Sequence, residues 1–238
     1  MYSDLFSRVY DAFGWNYYPE IFAQQLMHWM EKYQIRVKTM LDLGCGTGIL
    51  CSILSERGIH TVGMDLSAGM ISMAKEKYPA LNFEQGDMIT YCPSKKFDLV
   101  TSTCDAINHI LDPDDLKKVL KNIFTYLEPG GCLLFDLLKE EETVPCDPID
   151  LGEIDGRRLT FQILRTASGA VTLQIDVSEQ GRHVHTEQIR EQIYSPRQIL
   201  SLLAEAGFES CVCSDRLLGE ESEQASTWFV TARKPGKK

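Results

Sequence analysis

At 238 residues, 44% hydrophobic and 24% charged, the chain suits one folded α/β unit with an elaboration, long enough to bury a substantial core. Its formal charge of −10, from 24 basic and 34 acidic residues, sets it against the phosphates of a nucleic acid. Basic residues gather only at Lys95-Lys96, Lys117-Lys118 and the terminal stretch 234–238, and none of these forms a stripe for a polynucleotide.

Residues 1–18 carry the aromatics Tyr2, Phe6, Tyr10, Phe13, Trp15, Tyr17 and Tyr18. From 19 to 33 apolar residues recur at Phe22, Leu26, Trp29, Met30 and Tyr33, the spacing of an amphipathic helix. Tyr10-Asp11 and residues 15–18 precede that helix and lie outside its stripe. The chain's organising stretch follows at 39–48, Thr-Met-Leu-Asp-Leu-Gly-Cys-Gly-Thr-Gly. Met40-Leu41-Asp42-Leu43 reads as a buried strand of a parallel sheet. It runs into Gly44, Gly46 and Gly48, and 49–57 then reads as a helix with Gly58 as its left-handed stop. Strand, glycine turn and helix make a nucleotide-type cradle at the carboxyl edge of a sheet. Missing side chains there let a ligand lie against the backbone. The spacing is not that of the dinucleotide fingerprint G-x-G-x-x-G, because the third position is Ile49 counted from Gly44 and Cys51 counted from Gly46. No G-x-x-x-x-G-K-[ST] phosphate loop occurs either.

A second strand, 61–66, ends in Asp65, a carboxylate placed to hold both hydroxyls of a ribose. The alternative is a helix-capping role, although Ser67 already stands as the N-cap for 68–78. Residues 81–88 lead to Gly86-Asp87-Met88. A fourth strand is expected at 97–102 and a fifth at 131–136. Between them Asp112-Pro113 opens a helix with Leu116, Val119, Leu120, Ile123, Phe124 and Leu127 as its buried stripe. Residues 140–148 read as an acidic, proline-bearing loop. Three alternating segments, 158–164, 171–177 and 183–193, separated by Ser168-Gly169 and Gln180-Gly181, read as an antiparallel meander. Arg165, His183, His185 and Arg190 project from it. The two histidines share a strand face at i, i+2, but no third ligand accompanies them, so no metal site is expected. A helix at 195–206 stopped by Gly207, strands at 208–217 and 227–232 with an acidic loop 219–226 between them, and a frayed tail at 233–238 complete the chain. The eight cysteines include no C-x-x-C pair, and Cys211-Val-Cys213 would face opposite ways on a strand, which argues against zinc. The amino terminus has no secretory pattern, and no apolar run approaches the ~20 residues that span a bilayer, so a reduced cytoplasmic protein is expected.

Asp42 to Gly48 resembles the D/E-x-G-x-G-x-G signature of class I S-adenosylmethionine-dependent methyltransferases. Asp65, the Gly86-Asp87-Met88 triplet and the turn Leu127-Glu128-Pro129-Gly130-Gly131 follow in that family's order, so the resemblance spans roughly residues 39–138. It implies S-adenosyl-L-methionine as cofactor, leaving as S-adenosyl-L-homocysteine. It implies binding by Asp42, Gly44, Cys45, Gly46, Gly48, Asp65, Leu66 and Met70. Asp87 would contact the adenine amino group and Met88 would cover the ring. Thr103 and Cys104 would line the methionine end, with Asp105, Asn108 and His109 facing substrate. Asp105 would then orient an amine, and His109 would act as a general base or merely bond locally in a short turn. Tyr10 and Tyr17 would belong to an N-terminal lid, or simply pack; an electron-rich ring or hydroxyl near a sulfonium suits such a lid. The Asn/Asp-Pro-Pro-aromatic signature of DNA and protein amide methyltransferases is absent after the fourth strand.

The expected fold is a doubly wound, mostly parallel seven-stranded sheet of Rossmann-like methyltransferase type with an inserted antiparallel meander, all in one domain. Its parts are an N-terminal helical lid (1–36), a cofactor-binding core (37–139), a β insertion over the substrate pocket (140–194), and a closing helix and strands (195–238). The expected activity is methyl transfer to a nitrogen or oxygen of a small molecule by in-line displacement, by a monomer or homodimer without nucleic-acid or membrane partners. Two alternatives stand beside it: a non-catalytic S-adenosylmethionine-binding regulator, and an NAD-dependent oxidoreductase.

Overall fold

Strand β1 (Thr39–Leu43) is an interior strand of the main sheet, and every residue after Thr39 is buried. The computed structural model describes residues 4–11, 14–15, 17–140, 145–165, 170–215 and 227–236. Expectations placed on Tyr2, Phe13, the Ser168-Gly169 turn, the acidic loop 219–226 and the last two residues lie outside them. β1 pairs in parallel with β2 (His60–Asp65) and β4 (Phe97–Ser102). Beyond β2 stands β3 (Asn82–Gln85), and beyond β4 stands β5 (Leu127–Leu138), both parallel. The last two strands, β10 (Glu209–Ser214) and β11 (Thr227–Arg233), close the far edge, giving the order β10-β11-β5-β4-β1-β2-β3. Only β11 runs against the rest.

Both faces are covered, as a parallel sheet requires. On one side Leu41, Leu43, Val100 and Leu133 meet α5 (Pro113–Tyr126) and α6 (Pro196–Ala206). On the other Met40, Leu99 and Leu134 meet α2 (Tyr17–Lys32) and α3 (Ile49–Glu56), with Ile71 and Ala74 of α4 (Ala68–Lys77) at its edge. The helix boundaries obey local chemistry. Asp112 caps Asp114 before Pro113 opens α5. Ser195 and Gln198 form a reciprocal capping box on α6, and Gly207 at φ 97° ends it.

A second sheet, β6 (Ile149–Ile154), β7 (Arg157–Arg165), β8 (Val171–Glu179) and β9 (Arg182–Glu191), is wholly antiparallel. It has four strands rather than the three expected. β6 is an edge strand whose apolar alternation is confined to Ile149 and Leu151 and is broken by a register shift between Asp150 and Gly152, too short a signal to mark a strand. The face-sharing expected of His183 and His185 also fails. A register shift between Val177 and Ser178 interrupts the alternation, and each histidine finds its own partner, Thr186 at 2.8 Å and Glu187 at 3.1 Å. Leu159, Ile175, Val177 and Ile189 of this sheet form a third core with Phe6 of α1 (Asp4–Tyr10) and Met70 of α4. Tyr10 and Trp15 pack on that core, so the amino-terminal helix and the inserted sheet close over the same end of the main sheet.

Candidate functional site

The carboxyl ends of β1, β2 and β4 open into a cavity of about 630 Å³, with β9 and Tyr10 forming its opposite wall. Its floor is the glycine turn. Gly44 and Gly46 line it with φ of 77° and 53°, a backbone that residues with a Cβ rarely adopt. A Cβ on Gly46 would meet nothing within 4 Å, so this position is a bare ledge. Gly48 does something else. A Cβ there would lie 2.6 Å from the Phe83 ring and 3.2 Å from Ala74, so this glycine lets α3 settle on the strands and α4 and does not line the cavity.

Asp65, at the end of β2, fastens the ledge. Its Oδ2 accepts the N–H of Gly46 at 2.9 Å and its Oδ1 that of Ser67 at 2.8 Å, while Ser67 caps α4 through Met70. Burial pushes its carboxyl upward, opposed by the hydrogen bonds from Ser67 and Gly46. Each carboxylate oxygen keeps capacity for another donor, so the capping role and a ribose role coexist in one side chain. Leu66, Met70, Asp87 and Met88 stand along the same wall. Asp87 turns its own loop by accepting the Ile89 N–H at 2.9 Å. These features fit an adenosyl ligand: a side-chain-free shelf, an acid with spare acceptor capacity, and apolar Met88 and Ile89 beside it.

Several expected residues lie elsewhere. Asp42 is 1% exposed beneath the turn, where Thr101 donates to it at 2.7 Å. Burial lifts its pKa to about 7, and it does not reach the cavity. Cys45 is likewise buried, with its thiol against the space beside Gly63. Tyr17 is 67% exposed at the start of α2 and away from the cavity, because the helix begins there and its stripe points Phe22 and Leu26 inward. Asn108, expected to face substrate, is fully buried and does not line the cavity. Its side chain donates to the Gln192 carbonyl at 2.8 Å and accepts from Leu138 N–H at 3.1 Å, tying β9 and β5 to the 3₁₀ turn Ala106–His109.

Tyr10 does line the cavity, packed against Phe6 and Trp15, with ring centroids 5.8 and 5.5 Å away. Its neighbour Asp11 fastens the segment to the glycine turn. Thr47 donates to it at 2.8 Å and Lys77 of α4 pairs with it at 2.5 Å. Thr103 and Cys104 line the far side, where the chain turns sharply with φ of 57° at Cys104 and 52° at Asp105.

Asp136, unnoticed in the sequence, holds this turn. Fully buried at the end of β5, it accepts Cys104 N–H at 3.0 Å and Asp105 N–H at 2.7 Å, and burial raises it to about 6. Tyr18, which also approaches Thr227 at 3.5 Å, donates to it. The available signal was a lone acid closing the apolar run Leu133-Leu134-Phe135 at the same sheet edge as Asp65.

The turn delivers Asp105 and His109 to the side chain of Glu191 at the end of β9, and the three potential ligand atoms lie within 4.8 Å of one another. Burial lowers His109 to about 4, so its imidazole is neutral, and it donates one N–H to the Arg190 main-chain oxygen. Burial raises Asp105 and the charges of Glu191 and Asp136 raise it further; burial likewise raises Glu191.

Residues 40–131 match the family model described as "Methyltransferase domain". The Bacillus subtilis (strain 168) methyltransferase YqeM is 34% identical over 138 residues, 54% of this chain and 55% of that protein, so the chain spans about half of that relative's length. A methyltransferase of Geobacillus sp. (strain WCH70) is 28% identical across 83% of this chain and 85% of its own. The Streptomyces venezuelae dTDP-3-amino-3,4,6-trideoxy-alpha-D-glucopyranose N,N-dimethyltransferase is 23% identical across 88% and 89%. Among solved structures, an S-adenosylmethionine-dependent methyltransferase from Clostridium acetobutylicum ATCC 824 superposes with a TM-score of 0.78 at 22% identity, covering 90% of this chain and 91% of its own.

Proposed function

We propose that this chain is an S-adenosylmethionine-dependent methyltransferase and methylates a nitrogen or oxygen nucleophile of a small molecule held between the glycine turn and the inserted sheet. The observation that carries this reading is the shared cavity. The turn residues Gly44 and Gly46, the Asp65 carboxylate and the β9 residues Gln188, Ile189 and Arg190 all line one space. When bound, the cofactor supplies an electrophilic methyl group on a sulfonium, so the protein's tasks are alignment and exclusion of water.

The residues divide those tasks. Gly44 and Gly46 admit the ligand to the backbone, Asp65 takes the ribose, and Asp87 and Met88 take the base. Tyr10, Met70 and Ile189 form the apolar cover, held down by the Asp11 contacts with Thr47 and Lys77. The opposite wall, made by Thr103, Cys104, Ala106 and His109 with Gln188 to Arg190 of β9, receives the acceptor. Relatives named for amino-sugar N-methylation support a small-molecule acceptor, and so does the acidic surface charge. Nicotinamide chemistry has no support in this turn, where Gly48 packs against Phe83.

The test is direct. Titration of the purified protein should show saturable binding of S-adenosylhomocysteine and none of NAD. Incubation with methyl-labelled cofactor and pooled cell metabolites should then label one small product; binding without any labelled product would favour a regulatory role.

A further inference from the structure

His109 lines the cavity, and the acidic cluster directly behind it, Asp105 and Glu191, is built unlike a packing contact. Glu191 is 1% exposed, and its Oε2 is a buried oxygen with no hydrogen-bond partner among the described residues. Leaving such an oxygen unpaired costs about 1–3 kcal/mol, more if it is charged. Asp105 precedes the 3₁₀ turn but caps none of its N–H groups. The charges that bear on Asp105 are Glu191 and Asp136, both negative. No ion pair to Asp105 or Glu191 forms among the described residues, so the cage gathers carboxylates without a resident cation.

We propose that Asp105, Glu191 and His109 form the recognition cage for a protonated amine, which makes the acceptor nucleophile a nitrogen. The inference rests on the methyltransferase reading and narrows it. Three acceptors converge: two carboxylates and a neutral imidazole whose second ring nitrogen is free of a proton, since the first donates to Arg190. Acceptors at hydrogen-bonding distance from one tetrahedral nitrogen stand about 4.6 Å apart. Ligands on a dication at ~2.1 Å stand about 3.4 Å apart. A spread of up to 4.8 Å reaches the nitrogen spacing, and ion soaks separate it from the tighter metal spacing. A hydroxyl has a single proton to donate and leaves two of the three acceptors unserved.

The proton balance also works. An ammonium entering the cage gives one N–H proton to a carboxylate of the Asp105–Glu191 pair, and the neutral amine, still held by its remaining N–H bonds, turns its freed lone pair to the methyl group to form the new N–C bond. The S–C bond breaks with its electron pair staying on sulfur, so the sulfonium becomes a neutral thioether and the methylated nitrogen carries the positive charge. The raised proton affinity of both carboxyls suits this acceptance. The titratable and charged groups around the pair are Asp136 from β5, Cys104 and His109 from the turn, and Tyr10 from α1.

Crystals grown with S-adenosylhomocysteine are soaked in rubidium chloride, an ion close to ammonium in radius, and separately in manganese chloride. The expected result is an anomalous rubidium peak among Asp105, His109 and Glu191, lost in the isosteric Glu191→Gln variant. An empty cage in both soaks would show a closed, proton-sharing carboxyl pair and overturn the proposal, and manganese alone in the cage would overturn it in favour of a metal site. If the homocysteine ligand is absent from the glycine turn, the methyltransferase reading fails separately while the cage result still stands. In the labelled-methyl assay, the product should be retained by a cation exchanger at neutral pH and should disappear when the pool's amines are acetylated first. A neutral ether product would overturn the proposal. Asp105→Asn and Glu191→Gln should each slow labelling roughly 100-fold without changing S-adenosylhomocysteine affinity.

Discussion

Gly46 and Gly48 stand two positions apart, both at positive φ, yet they face different surroundings: open cavity for one, the Phe83 ring for the other. Gly46→Val should therefore weaken S-adenosylhomocysteine binding by roughly 100-fold or more, while costing only the ~1 kcal/mol of left-handed strain. Gly48→Ala should do the reverse, lowering the denaturation free energy by about 2–4 kcal/mol from strain plus overpacking. Calorimetric binding and chemical denaturation of the two variants separate these outcomes; equal effects on both measurements would refute the division of labour. Asp65→Ala should lose about 10- to 100-fold in affinity, with Asp65→Asn retaining part of it. The buried acids give a second prediction. Asp42 and Asp136 have folded pKa values of about 7 and about 6, above the ordinary 3.8, and Asp65, Asp105 and Glu191 shift the same way. The folded state then binds more protons than the unfolded chain, so their contribution is full below pH ~4 and is lost as pH rises toward 7. Denaturation free energy should fall across that window. Asp42→Asn, which still accepts from Thr101, should remove up to about 1.4 kcal/mol per pH unit of the slope.

The helices and strands that bear on function are joined by a few polar fastenings. Asp11 holds the end of α1 to the glycine turn and to α4, with side chains of Asp11 and Lys77 each about a quarter exposed (24% and 27%). Asp11→Asn should cost only about 1 kcal/mol, yet hydrogen exchange in residues 4–10 should accelerate while the central strands keep their protection. Unchanged exchange in α1 would show that Phe6 and its core neighbours hold the helix by themselves. Asn108 is the stronger fastening, since it is fully buried and bridges β5 to the residue after β9. Asn108→Ala strands two buried main-chain groups and should lower stability by about 2–5 kcal/mol. Such joints are poorly legible in a sequence. Asn108 reads as a substrate contact because its neighbours are, and only the approach of Gln192, far along the chain, shows what it does.

The main sheet, its two helical layers and the third core over the cavity make ligand binding and global stability one property. A ligand that binds only the folded protein at one hundred times its dissociation constant adds about 2.7 kcal/mol, which for a chain of this length raises the melting temperature by roughly 5–10 °C. S-adenosylhomocysteine should produce that shift and NAD should not. Much of this architecture was determined by the order of residues alone. Apolar strands at 40–43, 61–65, 97–102 and 131–136, glycine at 44 and 46, and an acid at 65 suffice for a parallel sheet with a ligand shelf, because each signal is local: strand periodicity, left-handed backbone, cap chemistry. Tertiary structure alone decided which side chains serve the ligand and which serve the fold. Asp42 sinks beneath the shelf, Tyr17 turns outward, the edge strand β6 pairs despite its polar face, and Asp105, His109 and Glu191 converge from positions up to 86 residues apart. The reason is physical: burial and the meeting of acceptors depend on distances between elements, which local spacing does not encode.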